Sequence, residues 1–377
     1  MQPGIYENIS NAEYHGGPGV SKSGLDLIRR SPMHYRASKD GATDRTPTPA
    51  QAIGTAFHAL VLEPPEFTKN YTLSLRRSDV PEAIEERDTL VAMVQELNAG
   101  RLPKLPTSGA KSEQVARILA AYAEQPGQGQ RDGPPLETMS SADLKAELAR
   151  LNESRPGLLP TAGNRHELAQ LLRDAGRPVT LWTDVLAEWQ RNNGHMETLA
   201  PEAWDQLMGM RNAVMDHPVA SRLISAPGRA ELSVYWNDPV SGELCRVRPD
   251  YLRDDGIVVD VKTCEDASPE GFAKSIASWR YDVQDPFYLD GINLMRHQAN
   301  RTDIAEAKAF VFLAVEKKAP YAVGVYVLDE ESREFGRAQY RKDLDAYAAC
   351  QKSGAWPGYG ERIQTISLPA WKLRTAA

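Results

Sequence analysis

Cysteine is scarce: Cys245, Cys264 and Cys350 are the only three in 377 residues. They are isolated, odd in number and form no CxxC pair, which argues against a structural zinc site and a disulfide framework. A reducing cytoplasm is the simplest setting for such a chain. No apolar run is long enough for a membrane span, and the start, Met1-Gln2-Pro3-Gly4, has neither the basic stretch nor the apolar core of a secretory signal. The expected location is therefore cytoplasmic, with no membrane partner. No GxxxxGK[ST] loop occurs, which argues against an ATP-driven motor. Positive charge is also short, with 44 Lys and Arg against 51 Asp and Glu, a net charge of −7. That balance excludes a basic coat that adheres broadly to nucleic acid. The hydrophobic content of 41% and charged content of 25% are ordinary for a globular protein. The length allows one large domain or two to three small ones.

The most informative stretch runs from Arg248 to Thr263. Asp254-Asp255-Gly256 between two apolar runs is a hairpin turn signal. If those three residues form the loop, 253 faces 257, and counting back puts Asp250 opposite Asp260. Directly opposed residues have Cβ atoms roughly 4.5–5.5 Å apart. Lys262 lies two residues past Asp260 and so points to the same face. Two carboxylates and an ammonium would then converge at one end of a hairpin. Carboxylates that close repel one another unless a cation lies between them, and a hard divalent ion such as Mg²⁺ suits that geometry. Taken alone, the motif is equally compatible with a solvated Asp/Lys edge. Ile257-Val258-Val259 tips the balance, because it is apolar without alternation, like a strand buried on both faces. Charges that follow such a run need partners.

Elsewhere, Ser21 or Ser23 is a candidate cap for a helix that Ser31-Pro32 ends, and residues 38–48 read as a polar loop. Residues 49–63 form a helix with Ile53, Phe57, Leu60 and Val61 on one stripe, His58 beside it, and Pro64-Pro65 as its stop. Residues 88–121 and 142–175 repeat one another without a gap. Leu90, Asn98, Arg101, Leu105, Pro106, Thr107, Gly109 and Glu113 recur as Leu144, Asn152, Arg155, Leu159, Pro160, Thr161, Gly163 and Glu167. Each copy reads as helix, loop, helix, with Thr107 and Thr161 as candidate caps of the second helix. The linker at 125–135 is rich in Gly, Pro and Gln. A helical stretch at 198–226 precedes strands around Leu232–Trp236 and 243–250. Ser268-Pro269 opens a helix whose continuation Pro286 interrupts. Strands at 308–315 and 321–328 and a helix at 330–350 complete the chain.

The series His58, Asp250, Asp260-Val261-Lys262, Gln284-x-x-x-Tyr288 resembles the RecB-like branch of the PD-(D/E)xK nucleases. Three more segments extend the match: Ser21-Lys22-Ser23-Gly24-Leu25 with Ser31-Pro32-x-His34-Tyr35; Gly54-Thr55-Ala56-Phe57-His58-Ala59-Leu60; and Ala267-Ser268-Pro269-Glu270-Gly271-Phe272. Together these are similar to the nuclease domain of RecE-type exonucleases (exodeoxyribonuclease VIII) over roughly residues 1–70 and 195–372. The resemblance implies an α/β fold with a mixed central sheet flanked by helices; the tandem repeats depart from that pattern and read as an all-α insert at 77–190 between the core parts 1–76 and 191–377. It also implies an Mg²⁺-dependent enzyme, with Mn²⁺ a possible substitute. Such an enzyme degrades one strand of duplex DNA from its 5′ end and leaves a 3′ tail for a RecT-type annealing protein. A homo-tetrameric ring around DNA in a bacterial or phage-infected cell is the implied assembly.

Asp250 and Asp260 would hold the metal, with the Val261 carbonyl and His58 as further ligands. Read alone, a His beside an apolar stripe is a packing residue; the family position reverses that reading. Lys262 would orient or deprotonate the attacking water, or steady the transition state. Glu231 is either an additional carboxylate ligand or a solvent-facing residue. Gln284 and Tyr288 share a helical face and would lie by the site; Pro286 between them departs from a smooth helix. The insert looks like a SAP-type helix-extension-helix module, with Lys111, Arg165 and His166 as candidate DNA contacts. Its 11 Lys and Arg against 14 Asp and Glu over 82–176 are equally compatible with a spacer or oligomer contact. The alternatives are an endonuclease or repair nuclease on the same fold, and a non-catalytic DNA-binding or assembly protein.

Overall fold

A computed structural model describes residues 1–41, 48–124 and 133–368, so the expected loop at 38–48 and linker at 125–135 lie largely outside the described residues. The strands are β1 (Gly4–Tyr6), β2 (Tyr71–Leu73), β3 (Glu197–Leu199), β4 (Gly228–Ala230), β5 (Ser233–Asn237), β6 (Leu244–Val247), β7 (Tyr251–Arg253), β8 (Ile257–Cys264), β9 (Ala309–Glu316) and β10 (Val323–Tyr326). The helices are α1 (Asn11–Gly16), α2 (Lys22–Arg30), α3 (Pro32–Lys39), α4 (Pro49–Leu62), α5 (Pro64–Asn70), α6 (Arg87–Ala99), α7 (Lys111–Glu124), α8 (Ser141–Glu153), α9 (Arg165–Asp174), α10 (Trp182–Asn193), α11 (Pro201–Asp216), α12 (Pro218–Ser225), α13 (Pro269–Trp279), α14 (Tyr281–Gln298) and α15 (Glu330–Ser353). The chain divides into one unit of Met1–Ser74 with Met196–Ala377, and a second of Leu75–His195.

In the first unit a mixed five-stranded sheet runs β10-β9-β8-β7-β4, parallel only at β8/β9. The apolar runs of β8 and β9 explain that centre, because both strands are covered on two faces. Val258, Phe310 and Phe312 join one core with Phe272 of α13, Phe287 of α14 and Leu344 of α15. Val259, Val261, Val311 and Leu313 join another with Phe57 of α4, Leu207 of α11 and Leu223 of α12. A second sheet, β1-β5-β6, is antiparallel.

The two sheets share a bent ribbon. Gly228 faces Arg253 and Ala230 faces Tyr251, while Val234 faces Val247. One register therefore runs through the bend and sets Glu231 against Asp250, joined by Glu231 N–H donating to the Asp250 carbonyl at 3.1 Å. On the other side Tyr251 faces Val259 and Leu252 faces Val258, and the same register continues to Asp250 opposite Asp260. The turn holding it is Asp254-Asp255-Gly256. Gly256 sits at φ +86°, and a Cβ there would lie 2.0 Å from the Glu306 carbonyl oxygen.

Pro286 does not interrupt its helix: α14 runs unbroken from Tyr281 to Gln298. The break lies earlier, at Arg280, which adopts φ +54° between α13 and α14. Proline at the sixth residue of α14 removes only the donor to the Asp282 carbonyl. Gly336 of α15 packs against that oxygen so closely that a Cβ would lie 1.8 Å from it.

In the second unit, α6 and α8 cover positions 87–99 and 141–153, and α7 and α9 begin at 111 and 165. They pair crosswise. Leu90 and Val94 of α6 pack with Leu168 and Leu172 of α9, while Ile118 of α7 packs with Leu144 and Leu148 of α8. The Asn98 amide brackets the backbone of Leu159, and Asn152 brackets Leu105 in the same way, at 2.7 to 2.9 Å. Thr107 and Thr161 do not cap the second helices. Asn164 caps α9 in a capping box with Glu167, because Gly109 and Gly163, at φ +124° and +132°, turn the chain after each threonine.

Candidate metal and catalytic site

Three elements deliver the acidic centre. The β4–β5 bend presents Glu231, the short link between β6 and β7 presents Asp250, and the apolar stripe of α4 seats His58 over them. His58 Nδ1 lies 3.5 Å from Asp250 Oδ2. One ligand atom from each of His58, Glu231 and Asp250 falls within 4.8 Å of the others, and this is the one such cluster of three or more His, Cys, Asp or Glu among the described residues. Glu231 reaches this position from φ +51°, a left-handed conformation that costs a non-glycine residue on the order of 1–3 kcal/mol.

Asp260 stands beside the cluster rather than in it. Its carboxylate is completely buried, accepting from Gln284 Nε2 at 2.6 Å on Oδ1 and lying 2.5 Å from Lys262 Nζ on Oδ2. Lys262 Nζ also sits 4.9 Å from the centre of the Tyr281 ring. The Val261 amide donates to Asp250 Oδ2 at 2.7 Å, fixing the rotation of that carboxylate.

The electrostatics arise from crowding acids away from water. Burial pushes the Glu231 carboxyl up to about 8, and Asp250 opposite adds to the shift while Arg248 opposes it. Asp260 is pushed up to about 6, again by burial first, with Lys262 opposing and Asp250 reinforcing. Burial disfavours the Lys262 ammonium, but Asp260 and Asp250 outweigh it and hold the group charged. Carboxylates that resist ionising beside one another, joined by an imidazole, form a donor set suited to a divalent cation.

Gln284 and Tyr288 lie one turn apart on α14. Gln284 touches Asp260; Tyr288 packs edge-on to Phe310 at 5.8 Å, and burial keeps its hydroxyl protonated. Lys111, Arg165 and His166 lie in the second unit. Arg165 donates to the Glu85 carbonyl at 2.9 Å and His166 lies 3.6 Å from Asp184, while Lys111 is exposed.

Sequence reasoning did not give roles to Arg248, Lys22 and Tyr281. Arg248 is buried, bonded to Ser233, Asn11 and the Ile9 carbonyl, lies under the Tyr14 ring at 4.1 Å, and reaches within 3.8 Å of Glu231. Its signal is its place two residues before Asp250. Lys22 stands in the Ser21-Lys22-Ser23 segment; nothing in the sequence singles out Tyr281.

Residues 184–369 match the model of a PDDEXK-like domain of unknown function. That domain spans Glu231, Asp250, Asp260, Lys262, Gln284 and Tyr288; His58 comes from outside it. No curated protein matches the chain. Among solved structures, a Eubacterium rectale protein described as "putative exonuclease" is 11% identical, covering 61% of this chain and 85% of its own, with a TM-score of 0.34. The protein SSO0001 is 9% identical over 68% of this chain and 84% of its own, with a TM-score of 0.18. Both likenesses are too slight to carry a functional argument, which rests on the geometry of the site itself.

Proposed function

We propose that this protein is a divalent-metal-dependent deoxyribonuclease that hydrolyses phosphodiesters. In its finer form it is a RecE-type 5′→3′ exonuclease on duplex ends, leaving 3′ tails for a RecT-type annealing partner and working as a tetrameric ring. The observation that carries the reading is the convergence of His58, Glu231 and Asp250 beside the Asp260–Lys262 pair. His58, Glu231 and Asp250 are the residues that converge to hold Mg²⁺, or Mn²⁺ in its place, with the Asp260 carboxylate beside them as a further ligand once it turns from Lys262. When bound, such an ion polarises a phosphoryl oxygen and makes water easier to deprotonate. The chain's residues do the remainder. Lys262, held charged by Asp260, is placed to stabilise negative charge growing on the phosphate. Gln284 fixes the Asp260 oxygens, and the Val261 amide fixes those of Asp250.

We assign the repeats no leading part in DNA contact. Arg87, Arg101, Arg117, Arg155 and Arg165 commit N–H donors to carbonyls of their own unit, and acidic residues outnumber basic ones there, which works against a phosphate-binding face.

The test uses linear duplex labelled separately at each 5′ and 3′ end, with closed circular duplex alongside, in the presence and absence of Mg²⁺. Progressive loss of the 5′ label from linear DNA alone, requiring the metal, is the expected result. Cutting of the circle would replace the exonuclease with an endonuclease. Asp260→Ala should lower the rate by roughly 10²–10³-fold while the protein still unfolds cooperatively, at a lower temperature because Lys262 and Gln284 lose their buried partner. Full activity in that variant would remove the assignment.

A further inference from the structure

Among the described tryptophans, Trp279 is the exposed one, 65% accessible at the last position of α13. Its backbone is nonetheless tightly held. The Trp279 carbonyl accepts from Lys22 Nζ at 2.5 Å. Arg280, next in the chain, is held at φ +54° by hydrogen bonds to Asp26, at 2.9 Å, and to Asp343. Lys22 is itself paired with Asp26 at 2.8 Å. One residue further on, the Tyr281 ring lies 4.9 Å from Lys262 Nζ and 5.6 Å from Lys22 Nζ. Upstream, α13 is anchored by Phe272, stacked on Tyr326 at 5.2 Å and packed on Phe312. A left-handed turn braced from α2 and α15 thus sends one aromatic ring inward to the lysine pair and leaves the nearby indole outward in solvent.

We propose that Trp279 is a stacking platform for a nucleobase of the strand whose phosphate reaches Lys262. This rests on the nuclease reading and adds the element that engages the base. Three features support a base as occupant. The Trp279 backbone is two residues from Tyr281, whose ring touches the Lys262 ammonium that the nuclease reading sets against a phosphate, and the base of a nucleotide lies one sugar away from its phosphate. The indole sits on a braced turn, so little backbone freedom is lost when it is covered. Stacking also accepts every base, since each has a π-face, and that suits an enzyme that must digest any sequence.

The test uses the full-length protein with Ca²⁺ in place of Mg²⁺, to measure binding without turnover, and fluorescently labelled blunt duplex. Removing one base–aromatic stack costs roughly 1–3 kcal/mol, which is about 5- to 150-fold in Kd. Trp279→Ala should weaken binding within that range, and Trp279→Phe should recover most of it. In turnover with Mg²⁺, KM should rise by the same factor while kcat stays near wild type. An abasic nucleotide walked inward from the 5′ end should weaken wild-type binding at one position by a similar factor and leave Trp279→Ala unaffected there. Wild-type affinity in Trp279→Ala, or an abasic penalty equal in both proteins at every position, would overturn the platform while leaving the nuclease reading intact. If the wild-type protein neither binds nor cuts duplex DNA, both fall. The abasic walk on wild-type protein also reports on the stack should the alanine variant not fold.

Discussion

The sharpest consequence at the scale of single residues concerns Glu231 and Asp260, whose carboxyls take up protons more readily in the folded protein than in an open chain. A group whose folded pKa is raised contributes stability that is complete below its ordinary range and is lost as pH climbs through the folded value. For Asp260 that loss runs upward from the ordinary carboxyl range and is complete near 6, and for Glu231 it continues to about 8. The metal-free protein should therefore melt at a lower temperature at pH 8.5 than at pH 6, with a share of roughly 1–2 kcal/mol from Glu231 after allowing for its partial exposure. Added Mg²⁺ should recover most of the loss at the higher pH. Scanning calorimetry on metal-free wild type and Glu231→Gln checks this; identical pH dependence in the two would show that Glu231 is not the strained acid. Much of this centre is legible in the sequence. The positions of Asp250, Asp260 and Lys262 come from counting back along a hairpin whose loop length fixes its register. The side chain of Glu231 cannot be placed that way, because its left-handed backbone and its contact with Arg248 depend on the bend between two sheets, which no local pattern records.

Among the elements, the passage from α13 to α14 shows why one local signal misleads. Proline is the strongest helix punctuation in a sequence, and Pro286 is the natural place to expect a break. The chain instead turns at Arg280, held by Asp26 and Asp343, partners far away along the chain. Near the start of a helix proline forfeits a single hydrogen bond, and here Gly336 brings α15 against the released Asp282 carbonyl. Gly336→Ala should then force α14 and α15 apart. A loss of about 1–3 kcal/mol, the usual cost of overpacking, is expected as a lower midpoint in urea with an unchanged slope. Because the displaced segment carries Gln284, activity should fall as well. A variant as stable as wild type would mean that the two helices slide freely at this contact.

The recurrence of helix positions in residues 75–195 has a consequence for the whole molecule. The interval between the copies is visible in the sequence, but the pairing is not, since apolar faces at matched positions fit their own copy or the other equally well by pattern alone. The structure pairs α6 with α9 and α7 with α8, so neither repeat holds a complete core. Removing 88–121 alone would strip α8 of Ile118 and Ala121, and α9 of Leu90 and Val94. Each large apolar side chain left bare forfeits roughly 1.5–3 kcal/mol, more than a small helical unit can spare. Such a protein should lose the helicity of both remaining segments and aggregate. Replacing the whole of 75–195 with a short Gly/Ser linker should be milder. The chain leaves the first unit at β2 and re-enters at β3, which pair side by side from Tyr71 with Glu197 to Leu73 with Leu199. Because the two strands are parallel, the linker must run back along their length, and about a dozen residues suffice for that return. Circular dichroism and size-exclusion chromatography on the two deletions decide the matter. If the half deletion stays folded and monomeric while the full deletion collapses, the crosswise pairing is not what holds residues 75–195 together, and the first unit depends on them for its own fold.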